Sequence, residues 1–249
     1  MKSLLAFATG VLALGLAACG SSDGVGNTTA HAPVAAVAPP AGQDWTQTVA
    51  KTAEGFVMGN PNAPIKLVEY GSRLCPTCGA LANEGFQPLT DRYVRTGKVS
   101  FEFREFLVHG PMDMPPALLG TCVGTDPFFP LLEDMFHHQE EFIQALQHAP
   151  DAVQQQIQAA APADRFRIMG QAMGLVEFVK QRGVPEARAA QCLGNQPEID
   201  RLAKQTQDNG PSPGNGTVTG TPTLLINGRV AEGVISWGQL QAALRQAGA

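Results

Sequence analysis

Hydrophobic positions along this chain change pattern several times. Leu4 to Ala18 is a continuous apolar run behind one cation, Lys2, and it ends in Leu16-Ala17-Ala18-Cys19-Gly20. Residues 20–43 carry no apolar period and are rich in Gly, Ala, Pro and Ser, which predicts a disordered tether over 19–43. From about Trp45 the pattern becomes that of a folded body. Gly55-Phe56-Val57-Met58 predicts a short edge strand closed by the turn residues Gly59-Asn60-Pro61-Asn62. Ile65 to Tyr70 is a run of strand formers that can be buried on both faces. A tight Gly71-Ser72 segment leads into Cys75-Pro76-Thr77-Cys78 and a helix to about Arg95, with a kink expected at Gly85 and Pro88. Val99 to Phe106 alternates and predicts the next strand, with Phe101 and Phe103 on one face.

From His109 to about Asp208 helical spacing takes over, as in Leu118, Leu119 and Cys122 and again in Phe128, Leu131, Leu132, Met135 and Phe136. Further helices are predicted at 164–173, 175–182, 185–193 and 197–207. Strands return at Thr223 to Ile226, and Asn227-Gly228 before Arg229-Val230 is a hairpin signal. Ser236 then caps a last amphipathic helix with Leu240 and Leu244 inward. The order is β, β, α, β, a helical block, ββ, α. Its strand–helix–strand opening implies a right-handed parallel crossover, and the closing hairpin adds antiparallel strands. The expected architecture is α/β: a mixed sheet with helices on both faces and a helical insert.

Composition sharpens the picture at two points. With 249 residues, 44% of them hydrophobic, the chain has room for one or two domains and a sizeable core. Its 17 Lys+Arg against 22 Asp+Glu give a formal net charge of -5, and no Lys/Arg run occurs. That balance argues against binding nucleic acid or an anionic membrane by charge. No apolar run reaches the roughly 20 residues of a bilayer span. Lys2 and the short apolar run instead lay out an export signal over 1–18. Its small-residue cleavage site ends directly on Cys19, and the segment resembles the lipobox of bacterial lipoproteins. The resemblance implies lipidation of Cys19, with several acyl chains giving a stable anchor. Gly20 after the cysteine resembles outer-membrane sorting, so the expected place is the periplasmic face of a bacterial membrane, the outer one favoured.

The candidate chemistry lies at Cys75 and Cys78, between a buried strand and a helix, a context that makes the CxxC a redox candidate. If the helix begins at Cys75, Pro76 occupies its first position, where a missing N–H costs nothing. The free N–H groups of Thr77 and Cys78 then point back at the Cys75 sulfur and, with the helix dipole, favour the thiolate. Cys78, three positions on, lies on the same helical face and can close a disulfide. A CxxC can also be half a zinc site, although no second CxxC or Cys/His cluster completes four ligands. A structural disulfide is the other alternative.

The segments VEYGSRLCPTC and Gly220-Thr221-Pro222-Thr223-Leu224-Leu225-Ile226-Asn227-Gly228-Arg229 resemble the two halves of a thioredoxin-fold active site. With the helical insert, the chain over about 50–249 resembles the DsbA family of exported thiol:disulfide oxidoreductases. The resemblance implies a thioredoxin fold built from 44–108 plus 209–249, with an inserted helical subdomain at 109–208 between the third strand and the cis-proline loop. It makes Cys75 the attacking cysteine, Cys78 the resolving one, and Pro222 the cis-proline facing them, with the Thr221 backbone left to pair with an extended substrate segment. Glu69, six residues before Cys75, falls where thioredoxin-like proteins place a buried acid, and burial would let it take a proton from Cys78. Thr77 stands where the family's oxidases often carry His, so a milder oxidant is expected.

Cys122 and Cys192 remain. In an oxidising compartment leftover cysteines usually pair, and some DsbA-like proteins have a second disulfide in this region, so a structural Cys122–Cys192 bridge is implied. His109, Met112 and Met114 cluster after the third strand, where copper(I) binding competes with plain packing. Arg104 is a further candidate partner for Glu69. The expected function is disulfide donation to unfolded or partly folded exported proteins with thiols, by a monomer without cofactor, metal or nucleic acid, recycled by a membrane redox partner. A reductase, an isomerase and a copper-binding protein are the alternatives.

Overall fold

We describe a computed structural model of the chain, covering residues 32–211, 216 and 218–249. The export signal, Cys19 and the first part of the tether lie outside the described residues.

Six strands form one mixed sheet in the order β1-β2-β4-β3-β5-β6. These are β1 (Val49–Lys51), β2 (Phe56–Met58), β3 (Ile65–Gly71), β4 (Val99–Glu105), β5 (Thr223–Ile226) and β6 (Arg229–Val230). β3 and β4 run parallel, with Ile65 opposite Val99 and Gly71 opposite Glu105. The helix α1 (Pro76–Leu89) makes the crossover between them. β5 is antiparallel to β3 and places Thr223 beside Tyr70. Asn227 and Gly228 both take positive φ, 51° and 78°, to turn the β5–β6 hairpin. The fold is the thioredoxin fold with a helical insertion.

The edge position expected for residues 55–58 is corrected. β2 is an inner strand, paired antiparallel with both β1 and β4. β1 is the edge, and its sequence Val-Ala-Lys carries too little apolar signal to announce itself. The kink expected at Gly85 and Pro88 becomes a change of winding further on, where α1 runs into a π-turn at Thr90–Val94. Residues 32–43 hold no helix or strand, yet they lie against the body: Val34 N–H donates to Gly248 C=O at 2.8 Å and Val37 N–H to Thr96 C=O at 2.9 Å.

Between β4 and β5 come α2 (Met114–Cys122), α3 (Phe128–His137), α4 (Gln139–Gln147), α5 (Asp151–Ala159), α6 (Pro162–Ala172), α7 (Leu175–Lys180), α8 (Glu186–Leu193) and α9 (Gln196–Asn209). α5 has no fully buried side chain; only its narrow stripe of Val153 and Ile157 is partly covered, Ile157 against the second core. A last helix, α10 (Trp237–Gln246), starts at Ser236, whose N–H donates to Gln239 Oε1 at 3.1 Å. One core lies between the sheet and α1, α3 and α10, around Phe56, Leu81, Phe101, Phe103, Phe129 and Leu240. A second lies inside the helical block, around Leu118, Met135, Phe142, Leu175 and Leu202.

Candidate active site

β3 delivers the chain to its C-terminal end at Gly71, and the loop Ser72–Leu74 turns it into α1. Cys75 is the N-cap of α1, with extended backbone (φ -79°, ψ 117°), and Pro76 takes the first helical position. Both Cys75 and Cys78 are free thiols; Cys75 is 7% exposed and Cys78 fully buried. As a thiol, Cys75 donates to the Thr221 carbonyl at 3.2 Å, which sets the Thr221-Pro222 loop directly against the sulfur. The Thr221–Pro222 peptide is cis. The Thr221 hydroxyl is buried, makes no hydrogen bond of its own, and is free to turn toward a thiolate.

These neighbours separate the two thiols. The Cys78 thiol above all, then the Thr221 side chain and the backbone N–H groups of Cys78 and Thr77, stabilise a Cys75 thiolate against the cost of burial and bring its pKa down to about 5. Cys78 is pushed the other way, well above an ordinary thiol, by burial first, then by its hydrogen bond to Cys75 and the nearby charges of Glu69 and Cys75. Glu69 is 6% exposed and its Oε1 has no hydrogen-bond partner. Burial, and then the Cys75 charge, raise its carboxyl to about 8. It lines a cavity of about 20 Å³ with Leu81, Gly85, Phe101 and Trp237, room for a single water.

Arg104 is not its partner. The β3–β4 register places Phe103 beside Glu69 and Arg104 beside Tyr70. Alternation along β4 sends the Arg104 guanidinium to the opposite face, where it bonds Glu54, Glu102 and the Tyr70 hydroxyl. His109 is engaged as well, with Nδ1 3.0 Å from Asp113 Oδ1, while Met114 is buried in the second core. No metal-holding group of His, Cys, Asp or Glu occurs among the described residues. Cys122 and Cys192 form a disulfide that ties the end of α2 to α8, with Cα atoms 5.9 Å apart.

Sequence reasoning missed how the reactive loop is held. Arg73 is 1% exposed and paired with buried Glu105 at 2.8 Å. Its guanidinium also bonds Met135 Sδ at 3.3 Å and lies over the Phe128 ring at 5.2 Å. Ser72 Oγ donates to Asp113 at 2.8 Å. Gln139, the first residue of α4, donates through Nε2 to the carbonyls of Arg73 (3.0 Å) and Cys75 (2.9 Å). Its amide lies so close over Gly79 that a Cβ there would come within 2.8 Å of Oε1, so a larger residue at 79 would have to displace the Gln139 amide from the loop carbonyls. An arginine in a tight loop directly before the CxxC was a legible signal; Gln139, more than 60 positions away, offered none.

Comparison with known proteins gives a consistent result. The thioredoxin family model matches residues 51–246. A Rickettsia felis protein named as a protein-disulfide oxidoreductase is 26% identical over 70% of this chain and 53% of its own, so the chain spans about half the length of that relative. Disulfide bond formation protein D of Bacillus subtilis is 21% identical over 76% of this chain and 75% of its own. Among solved structures, a protein-disulfide isomerase from Novosphingobium aromaticivorans is 31% identical, with TM-score 0.70 over 78% of this chain and 97% of that one. Wolbachia pipientis α-DsbA1 shares the fold at TM-score 0.58 and 16% identity, over 77% of this chain and 89% of that one.

Proposed function

Since the chain belongs to the thioredoxin family, in the DsbA-like form of its fold, we propose that it is a thiol:disulfide oxidoreductase acting through Cys75 and Cys78 as a disulfide donor. The observation that carries this is the opposed displacement of the two thiols, Cys75 down to about 5 and Cys78 up.

In the oxidised enzyme a substrate thiolate attacks the Cys75 sulfur. A substrate–Cys75 disulfide forms and Cys78 leaves as a thiolate. A thiolate whose pKa lies so high takes up a proton, and the Glu69 carboxyl, protonated below about pH 8, is placed to give it. A second substrate thiolate then attacks the substrate's own sulfur and Cys75 departs, the better leaving group for its low pKa. The substrate gains a disulfide and the enzyme is left as the dithiol. A groove of about 370 Å³ lined by Thr219–Leu224 and Val230–Ile235 flanks the Thr221-Pro222 loop and would receive an extended substrate segment.

The proposed direction rests on which form is stabilised. A preformed thiolate stabilises the reduced enzyme and makes the disulfide oxidising. A Cys75 pKa of about 5 against roughly 3.5 for DsbA gives a milder oxidant, in keeping with Thr77 bringing no charge. The same reading places the protein on the periplasmic face of a bacterial membrane, lipidated at Cys19, with thiol-bearing exported proteins as substrates and a membrane protein as its reoxidant. No described helix is long and apolar enough to cross a membrane. The isomerase name of the 31% identical structure supports a second reading, in which the pair rests reduced.

Alkylation of reduced protein against pH, together with the equilibrium potential, tests the proposal. Cys75 should titrate near pH 5, and the potential should lie between about -270 and about -120 mV, the thioredoxin and DsbA values. A Cys75 that titrates like a peptide thiol would falsify the mechanism. A pair found reduced in cells would favour the isomerase or reductase reading.

A further inference from the structure

The chain is acidic overall, but its charge is segregated by the fold. β3 rises from Ile65 to Gly71, about 20 Å at strand spacing, and Cys75 lies just past its upper end. Lys66 is at the lower end of β3, where its N–H bonds Asn227 Oδ1 at 2.8 Å. Lys98 is there too, since its carbonyl accepts from Ile65 N–H at 3.1 Å. Arg92 and Arg95 lie on and just after the π-turn below α1. Arg229 starts β6 beside the lower hairpin turn, and Arg245 ends α10. Of these six cations four are exposed and Lys66 and Lys98 partly so. The acidic side chains that face them are Asp44 and Asp91, both paired with Arg95. Among the described residues this end therefore gathers these six cations against two paired carboxylates, Asp44 and Asp91. Cations at helix ends complement the helix dipole, which accounts for Arg92, Arg95 and Arg245. It does not account for Lys66, Lys98 or Arg229, which are on strands and a turn.

The same end receives the N-terminal segment. Val34 is bonded to Gly248, beyond the last turn of α10, and Val37 to Thr96. The Trp45 indole donates to the Val37 carbonyl at 2.7 Å. The first described residues, from Ala32 on, thus lie beside the basic end, a full strand length from the reactive sulfur.

We propose that this basic pole is a docking surface for an anionic lipid headgroup layer, so that the anchored protein sits with Cys75 pointing away from the membrane. The lipid anchor belongs to the functional reading above; the charge segregation and the docking of residues 32–37 at this end stand without it.

The full chain carrying Cys19→Ser, which has no lipid, should partition onto vesicles of phosphatidylcholine and phosphatidylglycerol in preference to phosphatidylcholine alone, and salt should abolish the preference. Each cation near an anionic surface tightens binding about five-fold. Replacing Arg92, Lys98 and Arg245 together by Gln should then cut the anionic preference about a hundredfold and leave disulfide exchange unchanged. Replacing the exposed Lys180, Arg188 and Lys204 of the helical insert should leave the preference intact. The apolar leader is common to every variant. The rate at which a water-soluble maleimide alkylates reduced Cys75 should be the same on anionic vesicles as in solution. Equal partition onto the two vesicles, an equal loss in the control triple, or shielding of Cys75 on the membrane each overturns the proposal. Lipid labelling of the wild-type chain is a separate arm: absence of label withdraws the anchor, and anionic preference in the Cys19→Ser chain still supports the pole.

Discussion

Glu69→Gln should make the reduced protein more stable, by an amount that grows with pH. The Glu69 carboxyl has a folded pKa of about 8 against 4.5 for an ordinary one. Below pH 4.5 it is protonated in both states and ionisation costs nothing. Between 4.5 and 8 the unfolded chain ionises and the folded chain does not, so each pH unit shifts the balance toward unfolding. The gap of about 3.5 pH units corresponds to about 5 kcal/mol in all, fully expressed above pH 8. Glutamine never ionises, and it meets the same unpartnered pocket as the protonated acid, so the difference between variant and wild type isolates this dependence. Cys75 works in the opposite sense. Its folded pKa of about 5 lies below the ordinary 9.0, so its thiolate adds stability that is complete above pH 9 and lost as pH falls through 5. In the wild type the two slopes oppose each other between pH 5 and 8, and stability should be nearly flat there. In Glu69→Gln the Cys75 slope is unmasked. Urea unfolding of both proteins under reducing conditions at pH 4.5, 6, 7 and 8 measures this. An offset between them that does not change with pH would refute the reasoning. The variant should also resolve mixed disulfides more slowly, because no carboxyl serves Cys78.

Two further perturbations follow from the way the reactive loop and the insert are tied. Gln139→Leu removes both donors to the Arg73 and Cys75 carbonyls in a side chain of similar bulk; it should raise the pH midpoint of Cys75 alkylation, whereas loss of stability at an unchanged midpoint would reduce Gln139 to a packing residue. Cys122→Ala with Cys192→Ala opens a link across 70 positions, which in the chain-entropy model costs about 4 kcal/mol of stability, read as a lower denaturant midpoint while the Cys75–Cys78 potential stays where it was.

Much of the sheet was legible because its central strands are unambiguous. Ile65–Tyr70 is a run of strand formers that can be buried on both faces, Val99–Glu105 alternates, and Asn227-Gly228 permits little besides a tight turn. The reactive pair was legible because Pro76 and the N–H groups behind it act locally, within one helical turn. What escaped the sequence depends on non-local pairing. β1 holds only two small apolar residues, Val49 and Ala50, neither fully buried, and is a strand only because β2 offers it an edge. Arg104 could not be assigned a face until the register put Phe103, and not it, beside Glu69. The net charge of -5 was equally misleading: Lys66, Arg92, Lys98, Arg229 and Arg245 are scattered along the chain, and only folding gathers them at one end.

The clasp on the Ser72–Leu74 loop has a consequence for how this protein could be rebuilt. Asp113 and Gln139 reach the loop from the helical block, while Glu105 reaches it from the sheet. The insert is therefore not a detachable lobe. A chimaera that exchanged it for the corresponding block of a relative would replace two of the three grips on the sulfur-bearing turn, and would inherit the donor's chemical temper along with its helices.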